Sequence, residues 1–286
     1  MIDSILIISL EKDKARRDRL QLLIKNESNK ELIDKVDLIK GIPSSSVNED
    51  FLLKNNFDYY KHWTLTKAEC EKVAKQYHQG SSVSDWPCRK YYREQLRTGQ
   101  LACLIGHIQC WRQIVSKGHG SALILEDDSW WGGHSSSDGV KFRQPGCLSE
   151  ELEYLKDLNL EEKGIDFCFL GREPHLDRLE MDWVIDPKYV VPNYSYNSHS
   201  YILTYQGAIK LLSQKPHKKL MSADEFLAAS YCKHPRPDLR KLIKTKLNAI
   251  SLKEGEDLIY QATSLETGHK GISETNIESS KYIDET

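Results

Sequence analysis

Residues 122–128 read Ala-Leu-Ile-Leu-Glu-Asp-Asp, four apolar side chains running straight into the carboxylates Glu126, Asp127 and Asp128. Three adjacent acids at the tip of a buried strand repel one another unless a cation or a hydrogen-bond network relieves them. In open α/β sheets ligands bind outside the carboxyl ends of the strands, which is where this triplet would fall. Mg²⁺ or Mn²⁺ takes one or two carboxylates and completes its shell with phosphate and water. The plain alternative is a solvated acidic turn. A metal-bound phosphate would serve either phosphate hydrolysis or glycosyl transfer from a nucleotide sugar, and the triplet alone does not choose between them.

The elements that would position this triplet alternate between strand and helix. Residues 4–10 form a compact apolar run suited to a buried strand, followed by a helix that carries Leu20, Leu23 and Ile24 on one face. Residues 34–43 supply a second strand. The clearest helix lies at 99–118, where Leu104, Ile108, Trp111 and Val115 recur at helical spacing and Gly118 ends the run. It feeds the acidic strand directly. Further pairs follow: a helix over 148–164 with a strand at 165–171, and a strand near 199–204 with a helix from Tyr205. A helix then opens at the Ser-Ala-Asp of 222–224, and a last strand lies at 247–252. This order predicts an α/β fold with a mostly parallel central sheet and flanking helices. Residues 44–98 read as an insertion, a candidate lid, within a single domain over 1–263. Residues 264–286 read as a polar, partly mobile tail.

Composition narrows the function classes. The chain has 286 residues, 39% hydrophobic and 29% charged, with a net charge of −2. That is enough chain for a full core and carries no basic excess for nucleic acid. No apolar run approaches the ~18 residues of a membrane span. The opening Met-Ile-Asp-Ser-Ile-Leu reads as a strand rather than a signal peptide. The seven cysteines are scattered without metal-ligand pairs, as expected of buried thiols.

Taken in order, the blocks resemble glycosyltransferase family 25, which includes collagen-modifying and lipopolysaccharide-modifying galactosyltransferases. "ILIISLEKDKARRDRL" resembles its first strand and Arg-rich helix start, and "TGQLACLIGHIQCWRQIV" its Gly-Glu-x-Gly-Cys, Ser-His and Trp helix. "ALILEDD" resembles its acidic signature strand. "IDFCFLGREP", "YSYNSHSYILTYQGAIKLL", "SADEFLAASYCKHPRPDL" and "LNAISLKEGEDLIYQ" resemble its later blocks. The Asp-Glu-Phe-Leu and Lys-His-Pro pieces favour the collagen-modifying branch. Gln100 and Gly106 depart from the usual Glu and Ser.

The resemblance implies a GT-A type nucleotide-sugar transferase fold. It also implies a UDP-galactose or UDP-glucose donor, Mn²⁺ with Mg²⁺ as the alternative, and inversion onto hydroxylysine of a collagen-like protein or peptide. Glycan acceptors are the variant within the family, and an inactive binding protein is the rival of another class. Under this reading Glu126, Asp127 and Asp128 form the metal motif, with Asp128 the direct ligand and His269 a late one. Leu10, Arg16, Arg17, Glu126 and Asp127 face the donor. Asp224, or its neighbour Glu225, is the general base that inversion requires; a helix cap is the plain alternative for Asp224. Trp130, Trp131, Arg172, Tyr196 and His199 are the acceptor-side candidates. His107, on a helix packed by Leu104 and Trp111, reads as a hydrogen-bonded core histidine.

Overall fold

A computed structural model describes residues 2–77, 92–131, 147–253, 256–261 and 281–283. Strand β1 (Ser4–Ser9) is followed by helix α1 (Lys14–Asn26) and strand β2 (Val36–Lys40). Helices α2 (Glu49–Lys54), α3 (Lys67–Tyr77) and α4 (Thr98–Lys117) lead into the acidic strand β3 (Ser121–Glu126) and the short β4 (Ser129–Trp130). Next come α5 (Cys147–Leu158), β5 (Phe167–Pro174), β6 (Met181–Asp182), β7 (Tyr189–Val191) and β8 (Ser195–Thr204). The chain finishes with α6 (Tyr205–Ser213), α7 (Ala223–Tyr231), α8 (Pro237–Leu242), β9 (Ala249–Leu252) and β10 (Tyr260–Gln261). Gly118 ends α4 at φ 68°, the left-handed conformation that glycine adopts without steric cost.

Eight strands make one sheet in the order β2-β1-β3-β8-β5-β9-β7-β6. The parallel pairings are β1 with β2, β1 with β3, and β5 with β9. Strand β8 runs antiparallel between β3 and β5, and β7 is antiparallel to both β9 and β6, so the whole sheet is mixed. Alternation along each strand feeds two cores. Leu6, Ile124, Phe167 and Tyr201 face α4, α6 and α7 with Leu104, Ile108, Trp111 and Phe226. Ile5, Ile7, Leu123, Leu125 and Cys168 face the other way, onto Leu20 and Ile24 of α1 and Leu148, Leu152 and Leu155 of α5.

The described residues of the stretch read as an insertion contribute to the core. Val47, Leu52, Trp63, Cys70, Val73, Tyr92 and Leu96 all belong to the first core, and Arg236 donates to the Trp63 carbonyl at 2.7 Å. From the polar tail, residues 281–283 dock on the start of α4. There Ile283 donates to the Leu96 carbonyl, and the Arg97 guanidinium lies 4.6 Å from the Tyr282 ring. Six cysteines are described and all are free thiols. Among the described residues no helix is long and apolar enough to cross a membrane.

Candidate functional site

The acidic triplet straddles the end of β3, and Ile8 of β1 pairs with Glu126 in register. Beside it opens a cleft of about 700 Å³, lined by Ser9, Leu10 and Arg16 after β1, Gly41 and Ser44 after β2, and Gly99 and Cys103 of α4. Glu126, Asp127, Asp128 and Gln261 close its floor. A second cavity of about 360 Å³ shares Cys103, Glu126 and Gln261 with the first, and adds Gln100, Asn197, Ser198, His199, Ser222 and Asp224. Leu10, Arg16, the triplet, His199 and Asp224 therefore converge on two adjoining chambers with Glu126 between them.

Five carboxylates lie here, and their partners separate them. Asp127 is saturated: Ser9 Oγ donates to Oδ2 at 2.6 Å, and Arg16 pairs with Oδ1 at 3.1 Å. Burial still raises its proton affinity to a pKa of about 6, the Ser9 bond and Arg16 opposing and the charge of Asp128 assisting. Glu126 accepts from Ser198 at 2.8 Å and pairs with His107 at 3.2 Å. Burial pushes its pKa up, but the bonds and charges of His107, Ser198 and His199 bring it below the ordinary value. Glu225 is fully buried, with Tyr194 on Oε1 at 2.7 Å and Tyr92 and His234 on Oε2 at 2.6 and 2.7 Å. These bonds leave no open oxygen for a base.

Asp128 and Asp224 differ from these three. Gln261 Nε2 donates to Asp128 Oδ2 at 2.9 Å, while Asp128 Oδ1 is buried without a partner. Burial and the charge of Glu126 raise Asp128 well above the ordinary carboxylate range. Asp224 lies in the first turn of α7, behind the N-cap Ser222, and its Oδ1 is likewise buried and unpartnered. It makes no capping bond. Burial, then the charge of Glu126, push it up to about 7. A buried polar atom left unpaired costs about 1–3 kcal/mol, and these two belong to residues that line the two chambers.

The donor set fits a hard divalent cation, with Asp128 Oδ1 and the second oxygen of Glu126 as the residues that would hold it. Cys103, His107 and Glu126 also bring ligand atoms within 4.8 Å of one another. A softer metal does not fit there. Trp111 Nε1 can only donate, and it donates to Tyr201 Oη at 2.9 Å. The arrangement that satisfies every partner has the Tyr201 hydroxyl donating to His107 Nδ1 at 2.9 Å and Nε2–H donating to Glu126. His107 Nε2 then carries its proton and offers no lone pair.

The remaining sequence candidates are placed elsewhere. Arg17 binds Ser9 Oγ and the carbonyls of Leu10 and Glu11, closing the turn after β1. Trp131 is 1% exposed and donates to Glu27 at 2.8 Å, leaving no ring face for a sugar. Arg172 is buried in a fork with Glu180 and also donates to Ser195 and Ser251, so its charge is used inside the fold. Tyr196, outside both chambers, packs on His175 and donates to the Tyr194 hydroxyl, whose own proton is on Glu225. Trp130 lies under the Arg19 guanidinium at 5.4 Å. His269 falls outside the described residues. Sequence reasoning did not single out Ser9, Ser198, Arg19 or Gln261. Arg19 reaches the carbonyls of Asp127 and Ser129, holding the turn that carries the triplet.

The mixed sheet with its ligand chambers at the ends of β1 and β3 is a GT-A-like glycosyltransferase fold. The family model described as "Glycosyltransferase family 25 (LPS biosynthesis protein)" matches residues 2–227, and the chain belongs to that family. It is 31% identical over 193 residues to procollagen galactosyltransferase 1-B of Xenopus laevis, 65% of this chain and 28% of that protein. It is 24% identical over 296 residues to human procollagen galactosyltransferase 2, covering 99% of this chain and 38% of that protein. It is also 27% identical over 238 residues to the human protein named inactive glycosyltransferase 25 family member 3, 82% of this chain and 32% of that one. The matches thus span well under half of these relatives' lengths.

Proposed function

We propose that this chain transfers galactose or glucose from a UDP-sugar, with Mn²⁺, to hydroxylysine of a collagen-like protein, inverting the anomeric carbon. The observation that carries this reading is a pair of carboxylates that each keep one buried oxygen without a partner, Asp128 lining the larger chamber and Asp224 the smaller. The larger chamber takes the nucleotide, with Leu10 and Gly41 against the base and Arg16 beside the diphosphate. Asp128 and Glu126 hold the cation, which when bound offsets negative charge on the departing diphosphate. Asp224 accepts the proton of the incoming hydroxyl. Burial, the largest cause, raises its proton affinity in the metal-free protein. Glu126, held by His107 and Ser198, fixes the wall between donor and acceptor.

A second reading, a binding protein without turnover, is favoured by the relative whose name declares it inactive. A UDP-release assay separates the two. The full chain is given Mn²⁺ and UDP-galactose or UDP-glucose, with and without a hydroxylysine-containing collagen peptide. Release stimulated by the peptide and lost in Asp224→Asn supports transfer. Stimulation only by glycan acceptors moves the acceptor class, and sugar-nucleotide binding without release with any acceptor selects the binding reading.

A further inference from the structure

Gln261 lies 133 residues beyond Asp128 in sequence, yet it lines both chambers. Residues 256–261 form the strap that brings it there, alongside β5 and β4. The backbone N–H groups of Leu258 and Ile259 donate to the Leu170 carbonyl at 2.8 and 3.0 Å. The Ile259 carbonyl accepts from His199 Nε2 at 3.0 Å, so that nitrogen carries the ring proton. Gly171 of β5 lets the strap pass: a Cβ there would lie 1.7 Å from the Ile259 oxygen. Strand β10 then pairs antiparallel with β4, Tyr260 opposite Trp130 and Gln261 opposite Ser129.

These anchors are made by the main chain, by His199 and by Gly171, and they leave the Gln261 side chain one visible task. Its amide holds Asp128 Oδ2, which leaves Oδ1 as the buried carboxylate oxygen without a partner. Since a carboxylate only accepts and the amide nitrogen only donates, the orientation of Gln261 is fixed by its partner. Groups that hold a metal ligand through its second atom set its direction, and their loss typically costs 10–100-fold in metal affinity.

We infer that Gln261 is a positioning residue for the cation site, delivered by the strap to aim Asp128 Oδ1 into the cleft. The inference rests on the metal reading given above. It assigns to a segment outside the acidic strand a part in building that strand's site.

The test is Mn²⁺ binding to the full chain in the presence of UDP, followed by the electron paramagnetic resonance signal of free Mn²⁺. Gln261→Met keeps the side-chain length without the amide, and Gln261→Ala removes both. The expected result is an Mn²⁺ dissociation constant raised about ten-fold in each variant, with the melting temperature unchanged. Wild-type affinity in both variants overturns the inference while leaving the metal reading intact. A variant that unfolds also overturns it, by assigning the side chain to stability. A wild-type chain that binds no Mn²⁺ removes the metal reading and this inference with it.

Discussion

Asp224→Asn is the sharpest perturbation, because it separates the cost of holding a buried charge from the benefit of using it. The folded carboxyl has a pKa of about 7 against an ordinary value of 3.8. Its raised folded pKa means that its contribution to stability is present below pH 3.8 and is lost as pH rises through about 7. Between pH 5 and pH 7 the ionised unfolded form gains on the folded form by two pH units. At 1.36 kcal/mol per unit this is at most about 2.7 kcal/mol, and about 2 kcal/mol after a discount for the intermediate burial of the residue. Asparagine does not titrate, so the variant should gain about 2 kcal/mol relative to wild type between pH 5 and pH 8. Urea unfolding of both proteins at several pH values, without divalent cation, measures this difference. At the same time UDP-sugar turnover should fall at least ~100-fold, the usual worth of a general base. A stability difference that stays flat with pH would refute the electrostatic reasoning. A variant that keeps wild-type turnover would remove Asp224 from the chemistry.

Three further outcomes follow from the same geometry. Glu225→Ala leaves His234, Tyr92 and Tyr194 buried around a missing partner and should cost about 3–5 kcal/mol in urea unfolding, in contrast to the stabilisation expected next door. Trp131→Ala should cost about 3–5 kcal/mol and leave the KM for any acceptor unchanged in the folded fraction, because the indole is core and bound to Glu27. Gly171→Ala forces the strap off β5 and should cost about 1–3 kcal/mol; it should also weaken Mn²⁺ binding in the same titration used for Gln261.

Much of this was legible in sequence wherever one chemical pattern sat inside one element. The triplet announced itself because an apolar strand stopped abruptly at three acids, and the cleft is where that strand ends. Helix α4 and the strands at either side of it were readable from periodicity and Gly118. Strand direction was not, because an apolar run reads the same whether its neighbours are parallel or antiparallel. That is why β8, antiparallel in the middle of the sheet, could not be foreseen. Gln261 was hidden for another reason: it is one polar residue next to a polar tail, and its meaning comes from a partner 133 residues away.

The choice between Asp224 and Glu225 shows what the fold adds. Both are acids in the same first turn of α7, and composition gives neither an advantage. Adjacent helical residues point about 100° apart. One therefore turns inward to His234 and two tyrosines, and the other toward the chamber that holds Ser198. The same sorting acts on the triplet, where Asp127 is bound by Ser9 and Arg16, and Glu126 by His107 and Ser198. Buried oxygens without a partner remain on Asp128 and Asp224, which line adjoining chambers that share Glu126. The protein bonds both oxygens of Asp127 and of Glu225, and Glu126 through Oε1, while Asp128 and Asp224 each keep a buried oxygen without a partner. Under the proposed function a cation at Asp128 and an incoming hydroxyl at Asp224 would complete them.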